Sequence, residues 1–437
     1  MRILLITTSF PPASGSHTQR IIPMVNALVN NGAELYVLTQ NTDSSWPSYD
    51  AEMLKRVDST IKVYRAPMGK FHKFKNSSPV NSEKPNKVGA VSKVKSLIVK
   101  LASKVKNTVL LPDTMIDWYF EAIRYEREND VVRRVSPDII VSCSMPNTVH
   151  LVSYKLSKKY KIPMYADIAD PWAYIGENKH KYLSLRFGIQ RHLENKIIKH
   201  VIGSSYSAPG CKQLYIEKYH LDETTTETVV TGFERQIMER AKSLRCINDT
   251  NKIKFTYGGA LQDGVRDPKP FFRAAKDYEN SIELLLRTDD VPKIKRWLEE
   301  CGTPANITVD SYLKFDDYFK EMMCSDIILF FGNSNDVQLP GKIFNCVATG
   351  KYILYLKSND IQNDTIEQIL SSYRRGFTVQ NVTEQIKNAL QTIVDDINEL
   401  RRESLVDSSD ISQFSEDYQF TKMYHHIEKV LKHYNNG

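Results

Sequence analysis

Residues 338 to 356, QLPGKIFNCVATGKYILYL, combine a lysine with a turn that begins a helix. Pro340 and Gly341 suit the start of a helix, and apolar residues then recur at helical spacing. Gly350 is placed to end this helix, and a buried strand follows. The backbone N–H groups of a helix start, together with Lys342, can bind a phosphate or diphosphate. The alternative is an ordinary helix that connects two strands of a sheet.

A second group with diphosphate-binding chemistry begins at the glycine pair Gly258 and Gly259. Glycine lets the backbone approach a ligand closely. Arg266 carries a planar guanidinium that can bind two phosphate oxygens, and Lys269 adds another positive charge. The alternative for a lone surface arginine is a solvated side chain. We predict that Arg266, and after it Lys342, neutralises a diphosphate.

Two carboxylates and an indole occur in the stretch PMYADIADPW, residues 163–172. The pattern predicts that Asp167 and Asp170 lie at a strand end, where a carboxylate can accept a proton from an attacking hydroxyl. Trp172 is suited to stack on a sugar ring. The alternatives are that Asp170 caps the turn before Pro171 and that Trp172 closes the core.

A loop over Pro11 to Gln19 follows the first strand, RILLITT. Loops at the carboxyl ends of parallel strands line the ligand crevice of such sheets. Gly15 and Ser16 are small enough for the backbone to approach a ligand closely. We therefore expect these two residues to contact a ligand.

Other classes of site lack their motifs in this sequence. There is no G-x-G-x-x-G, so a dinucleotide-dependent dehydrogenase is not supported, and Lys342 lacks the Ser or Thr of a P-loop. The histidines and Asp289–Asp290 do not have metal-ligand spacing, so we expect no metal cofactor. Few aromatic residues lie among the clustered lysines, and we expect no nucleic-acid partner.

Alternating strand and helix patterns predict an α/β protein with two domains, for which 437 residues are sufficient. The first domain covers 1–235, with its last strand over 228–234, and the second covers 252–415. The polar stretch between them, 235–252, is the expected linker. The helix over 416–437 completes the chain.

The stretch from Pro340 to Leu354 resembles the nucleotide-sugar site of group 1, family 4-like retaining glycosyltransferases. The resemblance implies the GT-B fold, in which two Rossmann-like domains face each other across a cleft and the C-terminal helix crosses back to the first domain. It assigns eight residues to the site that binds the nucleotide-sugar donor: Gly258, Gly259, Arg266, Lys269, Pro340, Gly341, Lys342 and Asn345. It places Gly15, Ser16 and Trp172 on the acceptor side.

Three positions depart from the family pattern. Asn345 stands where the family usually has the glutamate that holds the donor ribose, and Val337 stands where another acidic residue is expected. The stretch from Asp167 to Trp172 resembles the Asp-aliphatic-Arg-Asp-Pro-Trp pattern of a bacterial sub-group, with Ala169 in place of the arginine.

The resemblance implies an enzyme of the hexosyltransferase type that moves a sugar from a nucleotide diphosphate sugar to a hydroxyl acceptor. It implies retention of the anomeric configuration. The expected acceptor is a lipid-linked saccharide of a bacterial surface polysaccharide, such as lipopolysaccharide, O-antigen or capsule. Two alternatives stay open, a non-catalytic GT-B protein that binds a saccharide or a partner, and a GT-B nucleotide-sugar epimerase.

The net charge of +7 is concentrated between Gly69 and Asn107, which hold ten lysines and one glutamate. Over 87–107 apolar residues recur every three or four positions with lysines between them, which predicts a basic amphipathic helix. Such a helix suits an anionic membrane surface, and the alternative is packing on the first domain. With no apolar run of ~18 residues, we expect a cytoplasmic protein, peripheral on the inner face of the membrane. Six cysteines without a C-x-x-C pair predict reduced thiols.

Overall fold

The computed structural model describes residues 1–46, 48–69, 110–174, 184–244, 251–358, 364–402 and 411–437. The chain divides into two units, one formed by Met1–Val229 with Phe420–Gly437 and the other by Val230–Gln419. The basic helix predicted over 87–107, in the insertion 69–108, lies outside the described residues. Each unit has its own parallel sheet and its own apolar core.

The sheet of the first unit has seven parallel strands, β1 (Arg2–Ile6), β2 (Glu34–Gln40), β3 (Lys62–Ala66), β4 (Ile139–Cys143), β5 (Met164–Ile168), β6 (Gly203–Tyr206) and β7 (Thr226–Thr228). Their order is β3-β2-β1-β4-β5-β6-β7. The central strands are nearly continuous apolar runs because both faces of the sheet are covered. The last strand ends at Thr228, so the strand predicted over 228–234 is wrong. Val230 and Phe233 are apolar because they pack in the core of the second unit, not because they pair in a sheet.

The helices of the first unit are α1 (Ser16–Asn30), α2 (Ile116–Asn129), α3 (Val131–Val135), α4 (Thr148–Tyr160), α5 (Ser184–Ile198) and α6 (Pro209–Tyr219). The C-terminal helix, Glu416–Asn436, buries Phe420, Met423 and Ile427 in the same apolar cluster as α1. The other face of the sheet is covered by α2, α3 and α4. Because α1 begins at Ser16, the loop predicted over 11–19 ends at Gly15.

The sheet of the second unit has six parallel strands, β8 (Ile253–Gly258), β9 (Ile282–Thr288), β10 (Ile307–Ser311), β11 (Ile327–Phe331), β12 (Tyr352–Lys357) and β13 (Gly376–Gln380). Their order is β10-β9-β8-β11-β12-β13. All strands run in the same direction, so their carboxyl ends meet at one edge, where ligands bind in sheets of this type.

The helices of the second unit are α7 (Arg235–Ser243), α8 (Lys269–Ala275), α9 (Val291–Glu300), α10 (Phe315–Met323), α11 (Lys342–Ala348), α12 (Thr365–Tyr373) and α13 (Thr383–Arg402). The predicted unit of strand, helix and strand around Lys342 is therefore present as β11, α11 and β12. The linker predicted over 235–252 is wrong in its first half, which forms α7. Ile237 and Ala241 of this helix are buried in the apolar core of the second unit. Two apolar residues on one face are therefore sufficient for a helix in a polar stretch to pack against a core.

Cys324 is disulfide-bonded, so the expectation of six reduced thiols is wrong for this residue. Pairing depends on which thiols the fold brings together, which the absence of a C-x-x-C pair cannot show. Cys143, Cys211, Cys301 and Cys346 are free and buried. Among the described residues, no helix combines the length and the apolar character needed to cross a membrane.

Candidate functional site

Lys342 of the second unit places its ammonium group beside two aromatic rings. Its Nζ donates to Tyr257 Oη at 3.2 Å and to the Gly258 carbonyl at 3.3 Å. It lies 4.3 Å from the centroid of the Tyr257 ring and 5.0 Å from that of Phe330. Burial lowers the pKa of Lys342 to about 7, and the nearby Arg266 charge acts in the same direction. Within the described residues no carboxylate pairs with this ammonium, so a bound anion would stabilise its charged form.

Arg266 supplies a second cation in the same region. Its Nε and one terminal nitrogen donate to Asn333 Oδ1 at 2.9 and 2.7 Å, and Asn333 Nδ2 donates to the Gln338 carbonyl at 2.8 Å. These contacts fix the guanidinium against the loop that follows β11. No carboxylate of the described ranges forms an ion pair with it. Arg266 is close enough to Lys342 to act on it electrostatically, and each side chain can bind an anionic oxygen.

The two glycines at the end of β8 have a different role from the predicted one. A Cβ atom on Gly258 would lie 2.4 Å from the ring of Tyr318. A Cβ atom on Gly259 would lie 2.5 Å from Lys342 Nζ. The space beside these glycines is thus filled by side chains of the protein itself. Because the two glycines have no side chains, the Lys342 ammonium can lie close to the backbone. The glycines do not open a path for a ligand.

The turn before α11 forms as predicted, but the helix is short. The backbone N–H of Ile343 donates to the Pro340 carbonyl at 3.1 Å, and that of Phe344 donates to the Gly341 carbonyl at 3.2 Å. The helix has seven residues, about two turns, so we assign the positive charge of the site to Lys342 and not to the helix N-terminus. The amide of Asn345, half-buried, forms no hydrogen bond with any described residue and is available to a ligand.

Lys269 does not belong with this pair of cations. Its Nζ lies 2.9 Å from Asp263 Oδ1 and 3.8 Å from Asp267 Oδ2, and 5.3 Å from the centroid of the Trp297 ring. Two carboxylates neutralise its charge, so the prediction that Lys269 binds the donor is replaced by a local ion-pair role. The sequence could not show this, because Arg266 and Lys269 look alike as neighbouring basic residues.

Asp167 was expected to face a ligand, but it is fully buried in the first unit. Its Oδ1 lies 2.9 Å from a terminal nitrogen of Arg20 and accepts from Ser205 Oγ at 2.8 Å. The same Arg20 nitrogen donates to the Val229 carbonyl at 2.9 Å. A carboxylate held by a buried guanidinium cannot reach an acceptor hydroxyl. The structure therefore makes Asp167 a structural ion-pair partner and not a base.

Asp170 lies just beyond β5 and is half-buried. It acts electrostatically on His17, in the first turn of α1. Burial lowers the pKa of His17 and exceeds the opposing effect of Asp170, while Arg20 lowers it and Asp167 raises it. The imidazole is therefore neutral at pH 7. Sequence reasoning missed His17, because a single histidine near a helix start has no spacing that identifies a site.

Trp172 closes the core of the first unit, which was the alternative to a ligand contact. It is 7% exposed, and its indole Nε1 donates to Gln190 Oε1. Its backbone N–H donates to Glu194 Oε1 and to Tyr215 Oη, both at 3.2 Å. A side chain held in this way cannot stack on a sugar, so the prediction of an acceptor contact is wrong for Trp172.

Gly15 and Ser16 line a cavity of the first unit, and their contact with a ligand stays a prediction. Thr8 and His17 also line this cavity, which has a volume of about 270 Å³ and lies at the carboxyl ends of β1 and β2. All of its lining residues belong to the first unit. Within the described part of the chain, no group of three or more His, Cys, Asp or Glu side chains could hold a metal ion.

No protein-family model matches the sequence, and a search of curated proteins found no match. Solved structures do match. A glycosyltransferase from Rickettsia africae has a TM-score of 0.59 and 13% identity, over 99% of this chain and 98% of that one. The Anabaena protein HepE, solved with UDP and glucose, has a TM-score of 0.55 and 12% identity, over 99% of both chains.

A third match is the UDP-GlcNAc 2-epimerase of Neisseria meningitidis, solved with UDP-GlcNAc. It has a TM-score of 0.50 and 13% identity, over 99% of this chain and 100% of that one. Similarity at this level of identity establishes the fold and not the reaction. The chain has the GT-B fold, as predicted, with two Rossmann-like units that each contain a parallel sheet.

Proposed function

We propose that this protein is a glycosyltransferase that moves a sugar from a nucleoside diphosphate sugar to a hydroxyl acceptor. The observation that carries the proposal is the pair formed by Lys342 and Arg266 in the second unit. Neither side chain has a carboxylate partner among the described residues, and both lie at the carboxyl edge of a parallel sheet. Ligands of such sheets bind at that edge.

The chemistry of this pair suits the departure of a nucleoside diphosphate. Negative charge develops on the diphosphate as its bond to the anomeric carbon breaks. Cations held in a partly desolvated site stabilise that charge more than they would in water. Asn345 offers an amide that can both accept and donate hydrogen bonds, and we assign it to the donor ribose. Lys342 and Arg266 thus act on the leaving group.

On the acceptor side we assign Asp170 the role of accepting a proton from the attacking hydroxyl. The resemblance described above implies a hexosyl donor, retention of configuration and a lipid-linked saccharide of a bacterial surface polysaccharide as the acceptor. The anomeric proton coupling of the product, measured by NMR, tests the stereochemistry. Loss of turnover in Asp170→Asn without loss of donor binding supports the role of Asp170, and unchanged turnover contradicts it.

We further propose a cytoplasmic protein that binds the inner face of the membrane through the basic segment 87–107. The support is its composition, since each basic residue near an anionic surface contributes ~1 kcal/mol. Vesicles with anionic lipids should bind the protein at low salt and release it at high salt. Replacing the lysines of the segment by glutamate should abolish binding. If the unaltered protein does not bind such vesicles at low salt, the membrane proposal is wrong.

The donor site is tested by calorimetry with UDP-, GDP- and TDP-sugars. Lys342→Ala and Arg266→Ala should each weaken binding by about 1.5–3 kcal/mol, because each removes a charge-assisted contact. Lys269→Ala is the matched control, since two aspartates already neutralise that lysine. Equal affinity for all three variants and the unaltered protein would show that the donor site is misplaced.

Two other functions fit part of this description. The similarity to the Neisseria epimerase favours a nucleotide-sugar epimerase, and Asn345 in place of glutamate favours a protein that binds without catalysis. Incubation with each donor separates them. A transferase makes glycoside only when an acceptor is present, an epimerase converts the donor alone, and a binding protein does neither.

A further inference from the structure

The cavity of the first unit is lined mainly by apolar surface, with an indole and several hydroxyl and amide groups among its lining side chains. It lies where β1 and β2 end and α1 begins, and its volume is about 270 Å³. Small-molecule sites span roughly 300–1,000 Å³, so this cavity suits a single ring and not a whole nucleotide. Its walls include Thr8, Ser9, Ala13, Ser14, Gly15, Ser16, His17, Thr18, Gln40, Trp46, Ser48, Met115 and Pro146.

Gln40 gives the cavity an unused hydrogen-bond acceptor. Its side chain is 2% exposed, and its Nε2 donates to the Thr8 carbonyl at 3.4 Å. Its Oε1 is buried and has no partner among the residues that the structure describes. A buried carbonyl oxygen without a donor costs free energy, and a ligand that supplies an O–H or N–H removes that cost.

The charges around the cavity select against anions and cations. Its lining contains no lysine, arginine, aspartate or glutamate. The one titratable side chain is His17, whose pKa is lowered by burial while Asp170 and Asp167 raise it and Arg20 lowers it further. A phosphate, a carboxylate or an ammonium group would therefore lose its hydration in this cavity without gaining an opposite charge.

The other lining residues match the apolar face and the hydroxyl groups of a sugar ring. Trp46 donates from Nε1 to Ser48 Oγ at 3.1 Å, and Ser14 Oγ donates to the Ser48 carbonyl at 2.8 Å. The indole thus has a fixed position and a broad apolar surface. Hydroxyls and a neutral imidazole around it can exchange hydrogen bonds with ring hydroxyls.

We propose that this cavity binds an uncharged sugar ring of the acceptor, with Gln40 Oε1 accepting a hydrogen bond from one ring hydroxyl and Trp46 contacting the ring face. The assignment of this sugar as the acceptor depends on the proposed transferase function. Any charged part of the acceptor binds outside the cavity. Asp170, the proposed proton acceptor, acts electrostatically on His17, which is one of the lining residues.

Saturation-transfer NMR with methyl hexosides tests the site directly. Neutral methyl glycosides should receive saturation, and the matched methyl glucuronide, which carries a carboxylate, should receive much less. Gln40→Met keeps the side-chain volume and removes the acceptor oxygen, and we expect about a fivefold loss of affinity. Trp46→Ala should lose about tenfold, and Trp46→Phe should keep most of the binding.

Gln19→Met is the matched control, because Gln19 lies on α1 but does not line the cavity. Circular dichroism shows whether Gln40→Met is folded, and Trp46→Phe gives a second, milder variant. Absence of transfer to every neutral glycoside would overturn the proposal, and so would equal transfer in Gln40→Met, Trp46→Ala and the control. Calorimetry with UDP-glucose on the same samples tests the donor site separately, so failure of either site is distinguishable from failure of the other.

Discussion

At the scale of single residues, the pKa of Lys342 predicts how donor binding depends on pH. Burial lowers this pKa to about 7, so the free protein loses the ammonium charge as the pH rises above that value. A bound diphosphate favours the charged form and raises the pKa. Affinity for a nucleotide sugar should therefore fall above about pH 7, by at most about tenfold per pH unit. A nucleotide sugar is the right probe, because its diphosphate is a diester without an ionisation in this range.

Calorimetry from about pH 6.5 to about pH 9 measures the effect, since proton uptake at Lys342 is the linked event. Lys342→Arg is the control, because arginine stays charged throughout this range. Its affinity should vary much less with pH than that of the unaltered protein. A flat profile in the unaltered protein would mean that Lys342 does not contact the diphosphate.

Asn345 gives a second prediction at this scale. Hydrogen bonds to a charged partner are stronger than those to a neutral amide. Asn345→Glu should therefore bind the donor more tightly, by about 1 kcal/mol, as long as the amide contacts the ribose. Calorimetry with one donor measures the change. If affinity falls or stays equal, Asn345 is not on the ribose and the comparison of α11 with the family pattern is mistaken.

At the scale of elements, the ion pair between Arg20 and Asp167 connects α1 to β5, β6 and the chain after β7. Removing one member leaves a buried charge alone, so Asp167→Ala should destabilise the first unit by about 3–5 kcal/mol. Replacing both members by apolar residues, as in Arg20→Met with Asp167→Leu, should cost less than the single change. Urea denaturation measures both.

Glu52→Ala serves as the control, because Glu52 and its partner Lys55 are both 73% exposed. Such exposed pairs contribute about 0–1 kcal/mol. A double variant that is as unstable as Asp167→Ala would mean that Arg20 and Asp167 act separately and not as a pair. The start of α1 carries Gly15 to Thr18, so this pair also positions one wall of the sugar-binding cavity.

The helices and strands of this protein show which structural features can be predicted from sequence and which cannot. The unit of β11, α11 and β12 was predictable because its signal is local: Ile343, Phe344 and Val347 recur at helical spacing, with a proline before them and Gly350 after them. The partner of Asp167 was not predictable, because Arg20 lies 147 positions away and nothing local identifies it. The predictions for Lys269 and Trp172 were wrong for the same reason, since the roles of these residues depend on contacts that only the folded chain creates. The fold was therefore easier to predict than the site.

At the scale of the whole molecule, the last helix belongs to the core of the unit that contains the first strand. Ile427 is fully buried in the cluster that also contains Ile3 and Ile139, although the whole of the second unit separates it from them in the sequence. Ile427→Ala leaves a cavity in that cluster and should cost about 2–5 kcal/mol. The cost should fall on the first unit alone, because each unit has its own core.

Hydrogen exchange followed by mass spectrometry locates the effect, since protection reports local and sub-global opening. Peptides from β1 and β4 should lose protection in Ile427→Ala, while peptides from β8 and β11 keep it. His425→Ala, on the same helix but with a side chain that is 64% exposed, should change protection in neither unit, because exposed substitutions usually stay within about 0.5 kcal/mol. Equal loss of protection in β1 and β8 would mean that the two units unfold together. In that case the C-terminal helix would stabilise the molecule as one cooperative body, and the division of the chain into two separately stable units would be wrong.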